Sequence, residues 1–123
     1  MERRRILVID DEYSFGEFAR LLLEDAGYEV LVALDAAEGL RLASSEKPDA
    51  VLLDVHLREL SGIEVLRRIK ADAASSAMPV LVCSITSSKA EIQEALNGGA
   101  AAFLPKPLDA VVLRRELTKA LGG

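Results

Sequence analysis

The chain has 123 residues, half of them apolar and 4% aromatic, and carries a net charge of −5 at pH 7. That length suits one domain over residues 1–123, with a core of Leu, Val, Ile and Ala. The acidic balance weighs against non-specific nucleic-acid binding, and no apolar stretch approaches the length that spans a bilayer.

The pattern along the chain is strand and helix in alternation, five times. Arg3-Arg4-Arg5 leads into a first strand over 4–9, whose run Ile6-Leu7-Val8-Ile9 ends in acid at Asp10-Asp11-Glu12. A helix over 14–26 carries Phe15, Phe18, Leu22 and Ala26 at helical spacing. A strand over 29–33 and a helix over 35–45 follow. The third strand, over 50–53, is the apolar run Ala50-Val51-Leu52-Leu53, stopped by Asp54. Beyond a helix over 61–71, the Ala/Ser-rich stretch 72–78 reads as a plain connection ended by Pro79. The fourth strand, over 80–84, contains Cys83 and ends in Ser84, and a helix over 88–97 follows. A fifth strand over 101–104 runs into Pro105-Lys106-Pro107, and the last helix, over 109–121, shows Leu113, Leu117, Ala120 and Leu121 on one face.

Helix boundaries are well marked. Ser14/Glu17, Asp35/Glu38, Ser61/Glu64 and Ser88/Glu91 fit the capping-box spacing. Gly27, Gly98 and Gly99 can supply left-handed C-caps. Short units of this kind with right-handed crossovers give a parallel sheet covered by helices on both faces. The lone Cys83 allows no internal disulfide, reads as a small core residue, and suits a reducing compartment. With no signal peptide visible, a soluble cytoplasmic protein is expected. Gly122-Gly123 reads equally as the end of a stand-alone regulator and as the start of a linker.

Strands buried on both faces should not finish on bare carboxylates, because an unpaired buried charge costs several kcal/mol. Their carboxyl ends, however, face the crevice in which open α/β sheets bind ligands. With the first, third and fifth strands as parallel neighbours, Asp10, Asp11, Asp54 and Lys106 meet at one edge. Two like charges about 4 Å apart repel by roughly 4 kcal/mol at an effective dielectric of about 20. Three acids against one lysine therefore call for a hard divalent cation with oxygen ligands.

Taken together, these residues resemble the receiver domain of bacterial two-component response regulators of the chemotaxis-regulator kind. The resemblance covers the whole chain. It rests on the acidic pair Asp10-Asp11, Asp54 after the third strand, the hydroxyl residue Ser84 ending the fourth, Phe103 in the fifth, and Lys106-Pro107. It implies a flavodoxin-like (βα)5 three-layer fold with strand order 2-1-3-4-5. It also implies phosphorylation of Asp54 by a histidine kinase or a histidine phosphotransfer protein. Mg²⁺ would be held by Asp10, Asp11, Asp54 and the backbone carbonyl of His56, with Lys106 and Ser84 contacting the phosphoryl group. Ser84 and Phe103 would be the switch residues. The face formed by the fourth helix, fifth strand and fifth helix would meet an effector or a second copy of the chain. The protein would assist its own phosphorylation and dephosphorylation rather than turn over a substrate.

Two departures stand out. Receivers usually have proline four residues after the phosphoacceptor, where this chain has Arg58, so a more mobile loop is expected. They usually have a small residue after the strand-four hydroxyl, where this chain has the β-branched Ile85. Ile85 either crowds the mouth of the site or turns toward Ile92 and Ala95. Other readings fit poorly. A phosphohydrolase of the haloacid-dehalogenase type needs an Asp-x-Asp motif at the end of its first strand. A flavodoxin-like FMN carrier needs a Gly/Ser/Thr-rich phosphate loop there. A binding module that has lost phosphorylation would not retain the complete residue set.

Overall fold

A computed structural model describes residues 3–86 and 88–122. Five strands and five helices alternate: β1 (Arg5–Ile9), α1 (Tyr13–Asp25), β2 (Glu29–Ala33), α2 (Ala36–Ser45), β3 (Ala50–Asp54), α3 (Gly62–Ala71), β4 (Val80–Ser84), α4 (Lys89–Asn97), β5 (Ala102–Pro105) and α5 (Ala110–Leu121). The strands form one parallel sheet in the order β2-β1-β3-β4-β5, as the resemblance implied. No described helix is long and apolar enough to cross a membrane.

Side chains alternate between the two faces of each strand, and this divides the core in two. Leu7, Ile9, Val51, Leu53, Val80 and Val82 face the side covered by α2, α3 and α4. Ile6, Val8, Ala50, Leu52, Leu81 and Cys83 face α1 and α5, meeting Phe15, Ala19, Leu23, Leu113 and Leu117. Both faces of β1, β3 and β4 are sealed, which is why their sequences read as unbroken apolar runs.

The structure corrects several local expectations. Helix α1 starts at Tyr13, and Glu12 occupies its N-cap position without a side-chain cap, so Ser14 and Glu17 form no capping box. The Asp10 carboxylate instead accepts the Glu12 N–H at 2.8 Å and turns the chain into the helix early. The buried face of α1 is Phe15, Gly16, Ala19 and Leu23, whereas Phe18 is 43% exposed. Small residues define that face because the helix sits close to the sheet; a Cβ on Gly16 would lie 3.1 Å from Val32 Cγ1. Asp35, Ser61 and Ser88 cap their helices by accepting the Glu38, Glu64 and Glu91 amides. The C-terminal turn of α4 uses Gly99 at φ +102°, while Gly98 stays right-handed. Residues 72–78 are more than a plain connection. The Ser75 hydroxyl donates to Ile69 O at 2.7 Å and Lys70 Nζ to Met78 O at 2.6 Å, tying the stretch to α3.

Gly62, the first residue of α3, fixes where that helix meets β3. Its N–H donates to Val55 O at 2.7 Å. A Cβ there would overlap the Asp54 carbonyl oxygen and lie 2.6 Å from Val55 Cα. Backbone cannot swing aside as a side chain can, so Gly62→Ala is expected to destabilise the fold by about 2–3 kcal/mol, near the upper end of overpacking costs. Urea denaturation of the two proteins checks this, and an unchanged midpoint would show that the α3 junction gives way freely.

Candidate functional site

The register pairs Ile9 with Leu53, so the residues that follow, Asp10 and Asp54, leave the sheet side by side. Alternation sends both toward the α1/α5 side. Both are buried, Asp10 to 1% and Asp54 to 5% exposure. Lys106, one residue past β5, reaches back between them. Its Nζ lies 2.8 Å from Asp10 Oδ2 and 3.4 Å from Asp54 Oδ1. The ammonium also sits 3.9 Å from the centroid of the Phe15 ring, whose face favours a cation. The Lys106 N–H donates to Ser84 O at 2.8 Å, so the backbone as well as the side chain is fixed.

The charges here are incompletely balanced. Burial, and then the neighbouring Asp10 charge, raise the Asp54 carboxyl above the ordinary value of 3.8; Lys106 and the His56 backbone N–H oppose that rise without cancelling it. Burial alone would lower the Lys106 ammonium, but its hydrogen bond to Asp10 and the charges of Asp10 and Asp54 outweigh burial and raise it. Cys83, the register partner of Asp54, is pushed by burial up to about 12 and is an inert core thiol.

Asp11, half-buried, completes the cluster: one carboxylate oxygen from each of Asp10, Asp11 and Asp54 lies within 4.8 Å of the others. Asp11 Oδ2 accepts the Arg58 N–H at 2.9 Å and lies 3.7 Å from Arg58 Nε. The expected loosening of the loop at Arg58 is thus answered by a tether. The donor set consists of hard carboxylate oxygens with one ammonium against three acids, and it fits a small divalent cation. The cleft above it, about 130 Å³, is lined by Asp10, Asp11, Glu12, Asp54, His56, Ile85 and Lys106. Ile85 is 76% exposed beside this mouth and is not packed into α4.

Ser84 follows the other parity. Val80 and Val82 face α3 and α4, and so does Ser84. Its hydroxyl lies 3.1 Å from Glu91 Oε1 and 3.1 Å from Thr86 Oγ1, and it accepts the Thr86 N–H. Thr86 Oγ1 donates to the same Glu91 oxygen at 2.7 Å. His56 Nε2 closes the group, 3.1 Å from Thr86 Oγ1 and 3.5 Å from Glu91 Oε2. Phe103 is half-buried against the α2/α3/α4 core. The structure thus brings Asp10, Asp11, Asp54 and Lys106 together, sets Ser84 and the His56 side chain in a second group with Thr86 and Glu91, and leaves Phe103 packed on the core. Sequence reading missed three participants. Glu91 was visible only as the far end of a capping box, Phe15 only as core, and Arg58 only as a departure from a pattern.

The raised Asp54 carboxyl has a consequence for stability. An acid whose folded value lies above its free value destabilises the fold when charged. The penalty is absent below pH 3.8, grows as the pH rises through the folded value, and then stays constant. In metal-free buffer, Asp54→Asn should therefore stabilise the protein at pH 7, and the gain should shrink as the pH is lowered toward 4. Denaturation midpoints across that range test this; a gain independent of pH would contradict it.

This geometry agrees with the comparisons to known proteins. Residues 6–118 match the model of the response regulator receiver domain. The chain is 33% identical to Protein PilH of Pseudomonas aeruginosa, over 97% of this chain and 98% of that one. It is 41% identical to Response regulator MprA of Mycolicibacterium vanbaalenii over 84% of its own length, but that match spans only 44% of the relative. Its structure is similar to the chemotaxis protein CheY4 of Vibrio cholerae, at a TM-score of 0.91 and 28% identity over 98% of this chain and all of that one. The sheet order 2-1-3-4-5 agrees with these matches, and the chain belongs to the response regulator receiver domain family of two-component systems.

Proposed function

We propose that Asp54 is the phosphoacceptor of this receiver, loaded in a Mg²⁺-dependent reaction by a histidine kinase or a histidine phosphotransfer protein. The observation that carries this reading is the convergence of three carboxylates within 4.8 Å at the carboxyl edge of the sheet, with one buried ammonium against them.

An Asp54 carboxylate oxygen attacks the phosphorus, the bond from phosphorus to the donor's imidazole nitrogen breaks, and the imidazole leaves with the electron pair. Such transfers depend on positioning and charge neutralisation more than on covalent machinery. Mg²⁺, held by Asp10, Asp11, Asp54 and the His56 backbone carbonyl, would supply charge to the phosphoryl oxygens. Lys106 is already 3.4 Å from Asp54 Oδ1 and offers a point charge to the transferred group. The Ser84 hydroxyl, once released from Glu91, can donate to another oxygen. Its movement would vacate space that Phe103 follows, altering the α4–β5–α5 face seen by an effector or a second copy. A phosphoryl group brings roughly 1.5–2 negative charges and three acceptor oxygens, enough to bias such a two-state element. The domain acts as a signalling device that assists its own phosphorylation and dephosphorylation. A cytoplasmic setting suits its one buried, unpaired cysteine.

Acetyl phosphate with Mg²⁺ should add one phosphoryl mass to the intact protein, and neither the Asp54→Asn variant nor the parent in EDTA should gain it. Labelling of Asp54→Asn would move the phosphoacceptor elsewhere, and full labelling in EDTA would remove the metal from the reaction. Beryllofluoride should shift NMR signals of Ser84, Glu91, Phe103 and the α4–β5–α5 face; changes confined to the Asp54 loop would refute the switch.

The exposed Ile85 at the cleft mouth should slow both the approach of small donors and hydrolysis. It is stiff at χ1, and misplacing reacting groups by about 1 Å can cost on the order of 100-fold. Ile85→Ala should therefore raise the rates of acetyl phosphate labelling and of dephosphorylation severalfold, and equal rates would exclude a steric role.

A further inference from the structure

The tether between Arg58 and Asp11 acts on the proposed cation site from outside it. Arg58 meets Asp11 in two ways: its backbone N–H donates to Asp11 Oδ2 at 2.9 Å, and its guanidinium Nε stands 3.7 Å from the same atom as an ion-pair contact beyond hydrogen-bond distance. The carboxylates of Asp10 and Asp54 are already shared with Lys106. Asp11 has no lysine partner, so of the three acids it is the one Lys106 leaves to a cation. Arg58 occupies that acid in its place. Both contacts draw charge from a carboxylate that a divalent ion would use.

We propose that Arg58 is a brake on metal loading: it satisfies Asp11 in the metal-free protein, and a divalent cation must compete with it for that carboxylate. The Arg58 side chain is 85% exposed, so its charge is largely screened and its share of the brake is modest. The backbone N–H is the steadier half, since a charge-assisted hydrogen bond is stronger than a screened ion pair. The two halves separate by substitution. Arg58→Ala removes the guanidinium and keeps the N–H. Arg58→Pro removes both, because proline has no N–H to donate. Loop residues 55–61 stay anchored in either variant by the Gly62 N–H to Val55 O bond.

This inference rests on the metal site proposed above, and direct metal binding tests the two separately. Mg²⁺ affinity is measured by isothermal titration calorimetry, and Mn²⁺ affinity by the loss of its free-ion electron paramagnetic resonance signal, on the unphosphorylated protein. Arg58→Ala should bind about two- to fivefold more tightly than the parent at low salt. That gain should fade as ionic strength rises. Arg58→Pro should bind about tenfold more tightly, with less dependence on salt. Circular dichroism and thermal melting establish that each variant is folded, and Arg58→Ala alone suffices if the proline variant is not. Parent and folded variants binding with equal affinity, or the variants binding more weakly, would overturn the brake while leaving the site in place. A parent that binds neither ion would overturn the site and the brake with it.

Discussion

Everything at the working edge of this domain depends on one ammonium held between two buried carboxylates. Lys106 lies within 2.8 Å of Asp10 and 3.4 Å of Asp54, in a pocket closed on one side by the Phe15 ring. At an effective dielectric of about 20, charges 4 Å apart interact by roughly 4 kcal/mol, so the lysine restrains the aspartates without neutralising the set. Three carboxylates face one enclosed ammonium, and the other cation beside them, the Arg58 guanidinium on Asp11, is 85% exposed and largely screened, so the set stays net negative. In the resting protein the Asp54 carboxyl is raised, by burial first and by the neighbouring Asp10 charge second. A site built this way is held short of balance, which supports the proposed entry of a cation and, with it, a phosphoryl group.

The period-2 alternation of the strands divides the work. Asp10 and Asp54 leave β1 and β3 toward α1 and α5, where Lys106 and Phe15 wait. Ser84 leaves β4 toward α4, where Glu91 accepts its hydroxyl. Asp54 and Ser84 therefore sit on neighbouring strands but opposite faces, so the proposed switch would have to carry a change from one face to the other. The two groups are joined through Lys106, whose Nζ lies 3.4 Å from Asp54 Oδ1 and whose N–H donates to Ser84 O, while the His56 imidazole contacts Thr86. A change at Asp54 thus has short, bonded routes to α4.

The strands and the acid cluster were legible because they follow from simple constraints. Ile6–Ile9 and Ala50–Leu53 are too uniformly apolar for a half-exposed strand, and acids ending such runs have few structural reasons to be there. Asp10, Asp11, Asp54 and Lys106 converge as the reading required. What was not legible depends on distance rather than type. Phe18 looks like a core residue by spacing, yet α1 lies so close to β2 that Gly16 and Ala19 take the buried positions. Glu91 fits a capping box, but its carboxylate turns to Ser84 and Thr86. No one-dimensional pattern distinguishes a carboxylate that folds back on its own helix from one that reaches a neighbouring strand.

The loop over residues 55–61 is where these dependencies meet. At one end Gly62 has no Cβ because the Asp54 carbonyl occupies that space. In the middle, the Arg58 N–H holds Asp11, and the His56 side chain reaches Thr86 and Glu91. Seven residues without regular structure thus adjoin the proposed nucleophile and touch a proposed metal ligand and the Thr86 hydroxyl beside Ser84. A rigid sheet edge can place carboxylates accurately but cannot respond to them. The loop is held by a small number of hydrogen bonds that can exchange, which supports its taking part in the proposed response alongside Ser84 and Phe103. Its conformation is set by the same carboxylates whose charge a cation and a phosphoryl group would change.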